Sequence, residues 1–133
     1  AIKEACGNIE QMQAILDGRP EDLLVLSGDD GITVELVKRG GDGVISVAAN
    51  AFPERFCGCV HNAMKGNIAL AESEIAELTP AIDLLFKEGN PTGVKAMTAA
   101  MGITRSEVRL PLVEGTENLA ADIKSAIARY ELK

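Results

Sequence analysis

The stretch Leu23-Leu24-Val25-Leu26-Ser27-Gly28-Asp29-Asp30 decides the fold, because a continuous apolar run ends there in a polar turn. An apolar run without in-out alternation is typical of a parallel strand whose outer face is covered by helices. We therefore predict a strand over residues 23–27. Gly28 would let the backbone approach a ligand closely, and Asp29 and Asp30 are predicted to cap the helix that follows.

Two further apolar segments lie at equal distances from this strand. Ile2 lies 21 residues before Leu23, and Val44 lies 21 residues after it. Strand and helix units that repeat at this spacing are typical of a barrel or a doubly wound sheet. The predicted elements are strands over Ala1–Glu4, Leu23–Ser27 and Val44–Val47, and helices over Ile9–Asp17, Ile32–Arg39 and Pro53–Lys65.

Residues at the predicted helix ends support this division. Asn8 can cap the first helix, and Gly40-Gly41 can end the second. Pro53 suits the first turn of the third helix, where a missing N–H group costs nothing.

Beyond Gly66 the strand signals stop, and only helical patterns follow. Asn67 can cap a long helix with apolar residues every three or four positions, which Pro80 is predicted to bend or split. We predict two domains, with residues 1–66 forming the last three units of a (β/α)8 barrel and residues 67–133 forming an all-helical domain. The remaining predictions are a break at Gly89-Asn90-Pro91, a helix over Thr92–Met101, a turn-rich connector over Arg109–Gly115 and a helix over Glu117–Leu132.

Three strand and helix units cannot close a barrel, because the first and third strands keep unpaired edges. We therefore expect the chain alone to be poorly stable. The missing strands would come from a preceding stretch of the same gene product or from another chain.

The composition excludes several classes of function. The chain has 13 Lys and Arg against 20 Asp and Glu, a net charge of -7, which argues against a phosphate-binding surface. One Tyr, three Phe and no Trp leave almost no ring on which bases could stack. No apolar run approaches the ~18 residues that a membrane span needs, and no signal peptide is recognisable. We expect no nucleic-acid or membrane partner and a cytoplasmic location.

Three cysteines fit free thiols in a reducing compartment. Cys57-Gly58-Cys59 has the wrong spacing for a redox pair, and Cys57 with His61 offers only two ligands on one helix face. The sequence therefore predicts neither a metal site nor a cofactor.

The candidate site follows from the ends of the predicted strands, where barrel enzymes place their chemistry. These ends carry Lys3, the turn Ser27–Asp30, and Ile45-Ser46. A lysine in an apolar setting becomes nucleophilic at neutral pH and can attack a ketone, and Ile2 and Ala5 are the expected apolar neighbours. The alternative is an exposed lysine at a frayed chain end.

Five segments occur in order and cover the whole chain. They are Ile2-Lys3-Glu4-Ala5, Ser27-Gly28-Asp29-Asp30, Gly40-Gly41-Asp42-Gly43-Val44-Ile45-Ser46-Val47-Ala48-Ala49-Asn50, Asn90-Pro91-Thr92-Gly93-Val94-Lys95 and Leu110-Pro111-Leu112. Together they resemble the second half of the 4-hydroxy-tetrahydrodipicolinate synthase (dihydrodipicolinate synthase) family.

The resemblance implies a (β/α)8 barrel followed by a helical domain. It also implies condensation of pyruvate with L-aspartate-4-semialdehyde on the route to diaminopimelate and lysine. Lys3 matches the family's Schiff-base lysine, Ile45 matches a residue whose main chain contacts pyruvate, and Gly28 matches a glycine of the same pocket. It implies a homotetramer as well, for which the surfaces around Ile9 and Arg39 are candidate interfaces. The alternative is a solvated helix face, with Ile9 covering its own strand.

The family's relay tyrosine, its threonine pair and its substrate arginine belong to the first half and have no counterpart here. Tyr130, on the terminal helix, cannot replace the relay. We therefore expect this segment alone to be inactive. Two alternatives remain: another pyruvate aldolase, such as N-acetylneuraminate lyase or a 2-keto-3-deoxy sugar acid aldolase, and a non-catalytic assembly module in which Lys3 is inert.

Overall fold

The computed structural model describes residues 1–130, which contain three strands and six α-helices. The strands are β1 (Ile2–Glu4), β2 (Val25–Ser27) and β3 (Gly43–Val44). The helices are α1 (Ile9–Gly18), α2 (Thr33–Lys38), α3 (Pro53–Met64), α4 (Ile68–Phe86), α5 (Thr92–Ala100) and α6 (Glu117–Tyr130). The end predicted for the last helix, at Leu132, lies outside the described residues.

The three strands form one parallel sheet in the order β1-β2-β3. In its register Lys3 lies beside Leu26, Glu4 beside Ser27, and Ser27 beside Val44. Each strand is followed by a helix, so the predicted α/β class with a three-stranded parallel sheet is confirmed. The closed barrel stays a prediction.

One face of the sheet is covered by α1 and α2. Met12 of α1, Val25 of β2 and Leu36 of α2 form a core cluster in which each side chain is fully buried. Four partly buried residues pack against this cluster, namely Ile9, Ile15, Leu16 and Ile32. This packing explains why the apolar positions of both helices recur at helical spacing.

The other face of the sheet stays open within residues 1–130. Successive side chains of a strand point to opposite faces, so Leu24 and Leu26 lie opposite the buried Val25. Leu24 is 51% exposed, and Ile45, directly after β3, is 50% exposed. The apolar run over residues 23–26 therefore supplies both faces of the sheet, one buried under helices and one apolar but open.

The third strand is shorter than predicted. It spans Gly43–Val44 instead of Val44–Val47, although the Ile45 N–H still donates to the Ser27 carbonyl at 2.9 Å. Val47 already has helical backbone angles (φ -86°, ψ -43°), and a 3-10 turn follows over Ala48–Asn50. Of the predicted strand over 44–47, only Val44 lies in β3, and the extended backbone has ended by Val47.

Helix α4 is continuous through Pro80, so the predicted split is wrong. Proline removes one backbone donor, and the carbonyl left without it belongs to Ala76. Both residues are exposed, so water can satisfy that carbonyl and the proline ring crowds no core side chain.

The predicted helix ends at Asn8 and Gly40-Gly41 are confirmed. The Asn8 side chain accepts the Gln11 N–H at 3.0 Å, which caps α1. After α2, Gly40 has φ +100°, and the Gly40 and Gly41 N–H groups donate to the Val37 and Leu36 carbonyls at 3.0 and 2.9 Å. These two hydrogen bonds, together with a glycine in the left-handed conformation, form the Schellman motif.

The described chain forms two compact units. The first comprises residues 1–46 and 54–76, and the second comprises residues 47–53 and those from 77 onward. The second unit is built on α5 and α6, with Met97, Leu119 and Ile123 fully buried. The domain boundary at residue 66 stays a prediction.

Candidate active site at the carboxyl ends of the strands

Lys3 lies in the middle of β1, beside Leu26 of β2, on the open face of the sheet. Its neighbour on that face of its own strand is Ala5, as expected. Ile2 points to the opposite, helix-covered face, so its predicted place next to the Lys3 side chain is wrong. The apolar surroundings of Lys3 come instead from the next strand, because register brings Leu26 alongside it.

Gly28 lies directly against the Lys3 side chain. A Cβ atom at Gly28 would lie 2.7 Å from Lys3 Cε, 3.1 Å from Lys3 Cγ and 2.6 Å from Ala5 Cβ. The Gly28 N–H donates to the Glu4 carbonyl at 2.6 Å, which continues the ladder between β1 and β2. The structure therefore brings these two predicted site residues into contact.

Ile45 lies on the same face at the end of β3. Because Ser27 is the register partner of Val44, the next step along both strands brings Ile45 beside Gly28. The Ile45 N–H is used by the Ser27 carbonyl, so a main-chain contact to a ligand would use the Ile45 carbonyl oxygen. Lys3 on β1, Gly28 directly after β2 and Ile45 directly after β3 thus lie at one edge of the sheet.

The turn after β2 is fixed by its own side chains. Ser27 Oγ, fully buried, donates to the Asp29 carbonyl at 2.7 Å, and Thr33 Oγ1 donates to the same carbonyl at 2.8 Å. Asp29 Oδ1 accepts the Gly31 N–H at 2.9 Å and caps a 3-10 turn over Asp30–Ile32. The predicted cap of helix α2 is wrong, because the N-cap residue of α2 is Ile32, whose side chain makes no cap bond. Asp30 is not a cap, because it lies inside that turn and is 1% exposed.

Glu4 has a role that the sequence did not indicate. Its Oε1 accepts the Cys6 N–H at 2.6 Å, and its Oε2 accepts from the Gln11 side chain at 3.0 Å. These bonds tie the loop after β1 to the first turn of α1. Hydrogen bonds from Cys6 lower the pKa of the Glu4 carboxyl. Glu4 lies one residue after the centre of β1 and seven residues before Gln11, and this spacing matches no recognisable motif. Only the structure therefore reveals the role of Glu4.

An open cavity of the first unit lies away from the three predicted site residues. It is an open groove of about 790 Å³ between the loop after β1, the outer side of α1 and Arg39, and it includes Ile9. None of the three predicted site residues lines it. Their own face of the sheet carries the half-exposed Leu24 and Ile45.

Cys57 and His61 lie in α3, and no cluster of three or more His, Cys, Asp or Glu side chains suited to a metal occurs in residues 1–130. Burial raises the pKa of the neighbouring Cys59 thiol to about 11. Over the same range, no helix combines the length and apolarity needed to cross a membrane.

The dihydrodipicolinate synthetase family model matches residues 1–130. The 4-hydroxy-tetrahydrodipicolinate synthase of Phocaeicola vulgatus is 49% identical over 113 residues, which are 85% of this chain and 38% of that protein. The enzyme of the same name from Azobacteroides pseudotrichonymphae is 42% identical over 133 residues, covering 98% of this chain and 44% of its own length. The chain therefore spans less than half of these curated relatives.

Solved structures show the same likeness. The dihydrodipicolinate synthase of Thermotoga maritima superposes with a TM-score of 0.95 at 33% identity, covering 99% of this chain and 46% of that one. The chloride-inhibited dihydrodipicolinate synthase of Acinetobacter baumannii, solved in complex with pyruvate, superposes with a TM-score of 0.93 at 30% identity, covering 99% of this chain and 45% of that one. With the parallel strands that bring Lys3, Gly28 and Ile45 to one edge, these matches establish that the chain belongs to the dihydrodipicolinate synthetase family.

Proposed function

We propose that this chain is the C-terminal part of a (β/α)8 enzyme that condenses pyruvate with L-aspartate-4-semialdehyde. The product would be 4-hydroxy-tetrahydrodipicolinate, an intermediate of diaminopimelate and lysine biosynthesis. The observation that carries the proposal is the position of Lys3, whose side chain extends over Gly28 on an apolar sheet face, at the carboxyl ends of parallel strands. Barrel enzymes place their reactive groups at this edge.

The chemistry requires a neutral amine on Lys3. Its nitrogen attacks the ketone carbon of pyruvate, and the carbonyl oxygen leaves as water to give an imine. The imine withdraws electrons, so a proton can leave the methyl group and an enamine forms. The enamine carbon then attacks the aldehyde carbon of the second substrate, whose oxygen takes up a proton and becomes the 4-hydroxyl group. The amino group of that substrate attacks the imine carbon, which closes the ring and expels the Lys3 amine. Closure of the barrel over the open face would shield the reacting groups from water.

The remaining parts of the barrel belong to this proposal. The resemblance assigns the relay tyrosine, the threonine pair and the substrate arginine to the family's first half, which the chain does not match. The missing strands would pair with β1 and β3, each of which has one partner strand within residues 1–130. Residues 67–133 would form the helical domain.

The comparisons favour the synthase over the other pyruvate aldolases. The two curated relatives described above carry the name 4-hydroxy-tetrahydrodipicolinate synthase, and the Acinetobacter baumannii structure is described as a pyruvate complex. Neither N-acetylneuraminate lyase nor a sugar acid aldolase is favoured by these findings. The assembly-module alternative requires an inert Lys3, which can be tested directly.

A homotetramer is part of the proposal as well. The groove that includes Ile9 and Arg39 is the candidate subunit interface on the first unit. Arg39 is held there by an ion pair with Glu35 (2.6 Å) and a hydrogen bond to Gln13 (3.2 Å), so its position is defined before any partner binds. The predicted cytoplasmic location stays a prediction.

Trapping with pyruvate and borohydride tests the function. In the intact protein, reduction should leave a stable adduct on the peptide that contains Lys3. Lys3→Arg should abolish the adduct, because a guanidinium cannot form this imine. Lys124→Arg, an exposed position on α6, is the matched control and should trap like the wild type. An intact protein without adduct on Lys3 would support the assembly module instead.

A second experiment separates the aldehydes. The intact protein with pyruvate should consume aspartate semialdehyde and leave N-acetylmannosamine unchanged. The reverse preference would assign the chain to the lyase branch while keeping Lys3 as the nucleophile.

A further inference from the structure

The space above the Gly28 Cα atom is filled by the Lys3 side chain. A Cβ atom there would come within 2.7 Å of Lys3 Cε and 3.1 Å of Lys3 Cγ. Both distances are shorter than an ordinary contact between carbon atoms, about 3.5–4.0 Å. Gly28 is not among the glycines with positive φ, so its backbone would suit any residue. Glycine is therefore needed at position 28 because it has no side chain, and not because the backbone conformation is unusual.

The backbone of Gly28 is held from both sides. Its N–H bonds the Glu4 carbonyl at 2.6 Å, and the preceding Ser27 is locked to Asp29 through its buried hydroxyl. A side chain at position 28 therefore cannot be relieved by shifting this strand end. The Lys3 side chain would have to move, and Cε is bonded to the nitrogen that would react.

We propose that Gly28 is a positioning residue that acts through Lys3. Because Gly28 has no Cβ, it leaves room for the aliphatic part of the Lys3 side chain. It thereby fixes the position at which the Lys3 amine meets a carbonyl carbon. This role differs from the predicted one, in which Gly28 lets backbone approach the ligand. It rests on the imine chemistry proposed for Lys3.

A double variant separates this role from a packing defect. Gly28→Ala would also contact Ala5 Cβ at 2.6 Å, which could destabilise the fold without any effect through Lys3. Ala5→Gly removes that second contact and keeps the contact with Lys3. The test therefore compares the wild type, Ala5→Gly and Ala5→Gly/Gly28→Ala in the intact protein. Gly18→Ala is the matched control, because a Cβ there meets nothing within 4 Å.

We expect the double variant to melt within a few degrees of Ala5→Gly and yet to form the borohydride-trapped adduct about 100-fold more slowly. A misplacement of about 1 Å costs a rate factor of this size. The loss should fall on kcat and on the trapping rate, because the amine is displaced. Gly18→Ala should trap at the wild-type rate. A double variant that traps as fast as Ala5→Gly overturns the proposal.

A second readout keeps the two proposals apart. Acetylation of Lys3 by an N-hydroxysuccinimide ester, measured relative to exposed Lys124, should rise in the double variant because the displaced amine is freer in solvent. If the wild type forms no adduct, the imine proposal fails. In that case, an unchanged Lys3 acetylation ratio would also overturn the positioning of Lys3 by Gly28, and a raised ratio would support it.

Discussion

Two cysteines, Cys6 and Cys59, show how the surroundings of a single residue control the reactivity of its thiol. Cys6 is exposed in the loop after β1, and the hydrogen bond with Glu4 raises the pKa of its thiol. Cys59 is buried in α3, and loss of solvation raises the pKa of its thiol to about 11. The two thiols are thus held protonated for different reasons, one by a neighbouring carboxylate and one by burial.

We expect Glu4→Gln to speed alkylation of Cys6. Removing the carboxylate lowers the pKa of the Cys6 thiol, which raises the fraction of reactive thiolate at pH 8. The rate of iodoacetamide labelling of Cys6, followed by mass spectrometry, measures this. Glu10→Gln, at an exposed position in the first turn of α1, should leave the rate unchanged. A slower or equal rate in Glu4→Gln would contradict the assignment.

Cys59 should resist alkylation in the native protein. With a pKa of about 11, roughly one thiol in a thousand is ionised at pH 8, and burial at 1% exposure blocks the reagent as well. In the same labelling experiment Cys6 should react first, and Cys59 should react only after denaturation in urea. Native labelling of Cys59 as fast as Cys6 would show that α3 opens.

At the scale of elements, the starts of β2 and β3 are joined by one carboxylate. Asp42 Oδ2 accepts the Val25 N–H at 2.8 Å, and the Arg19 guanidinium pairs with the same oxygen. The Val25 N–H and the Arg19 charge lower the pKa of the Asp42 carboxyl, in that order of size. Arg19 also donates to the Gly40 carbonyl at 3.1 Å, so the loop before β3 is fixed to the end of α1.

We expect Asp42→Asn to lower the free energy of unfolding by about 1 kcal/mol at pH 7, since a charged acceptor is replaced by a neutral one. Because the pKa of Asp42 is lower in the folded than in the unfolded protein, its contribution is present above the unfolded pKa. It is lost as the pH falls through the folded pKa. Urea denaturation of both proteins from pH 7 downward should show the difference shrinking in acid. Glu54→Gln, exposed at the start of α3, is the control.

The contact between α5 and the end of α4 depends on Gly93. A Cβ there would lie 2.2 Å from the Leu85 carbonyl oxygen, which is backbone and cannot rotate away. We expect Gly93→Ala to destabilise the protein by about 3 kcal/mol, measured by urea denaturation. Gly58→Ala, where a Cβ meets nothing within 4 Å inside α3, should be neutral or stabilising. Equal stability of Gly93→Ala and the wild type would contradict this close approach.

At the scale of the whole molecule, the open apolar face of the sheet is the dominant feature. Leu24 and Ile45 are about half exposed, and β1 and β3 each pair with a single strand within residues 1–130. Apolar surface and unpaired strand edges are unfavourable in water. Both conditions would be removed if further strands closed the sheet into a barrel.

We expect the 133-residue chain produced alone to show no turnover with pyruvate and aspartate semialdehyde, because the proposed proton relay and the closed wall are absent. It should also bind a hydrophobic dye more strongly than the intact protein through the face that carries Leu24 and Ile45. Coupled turnover assays and dye fluorescence measure these two properties. Measurable turnover by the chain alone would contradict the prediction.

Much of the first unit could be predicted from the sequence. The unalternated run at residues 23–26 indicated a parallel strand, and Asn8 and Gly40 marked helix ends through hydrogen-bonding rules that act within a few residues. The end of β3 and the course of α4 through Pro80 could not be predicted in this way. They depend on the backbone conformation at Val47 and on solvent exposure at Pro80, which local pattern does not specify.

The sequence by itself determined the order of the elements, the parallel strand class and the three candidate positions, because apolar periodicity and turn residues are local properties. Only the tertiary structure decided that Lys3 lies over Gly28, that Leu26 and not Ile2 flanks it, and that Glu4 fixes the following loop. The physical reason is register. Which residues of neighbouring strands lie side by side depends on hydrogen bonds between segments about 20 residues apart, and no local pattern specifies them.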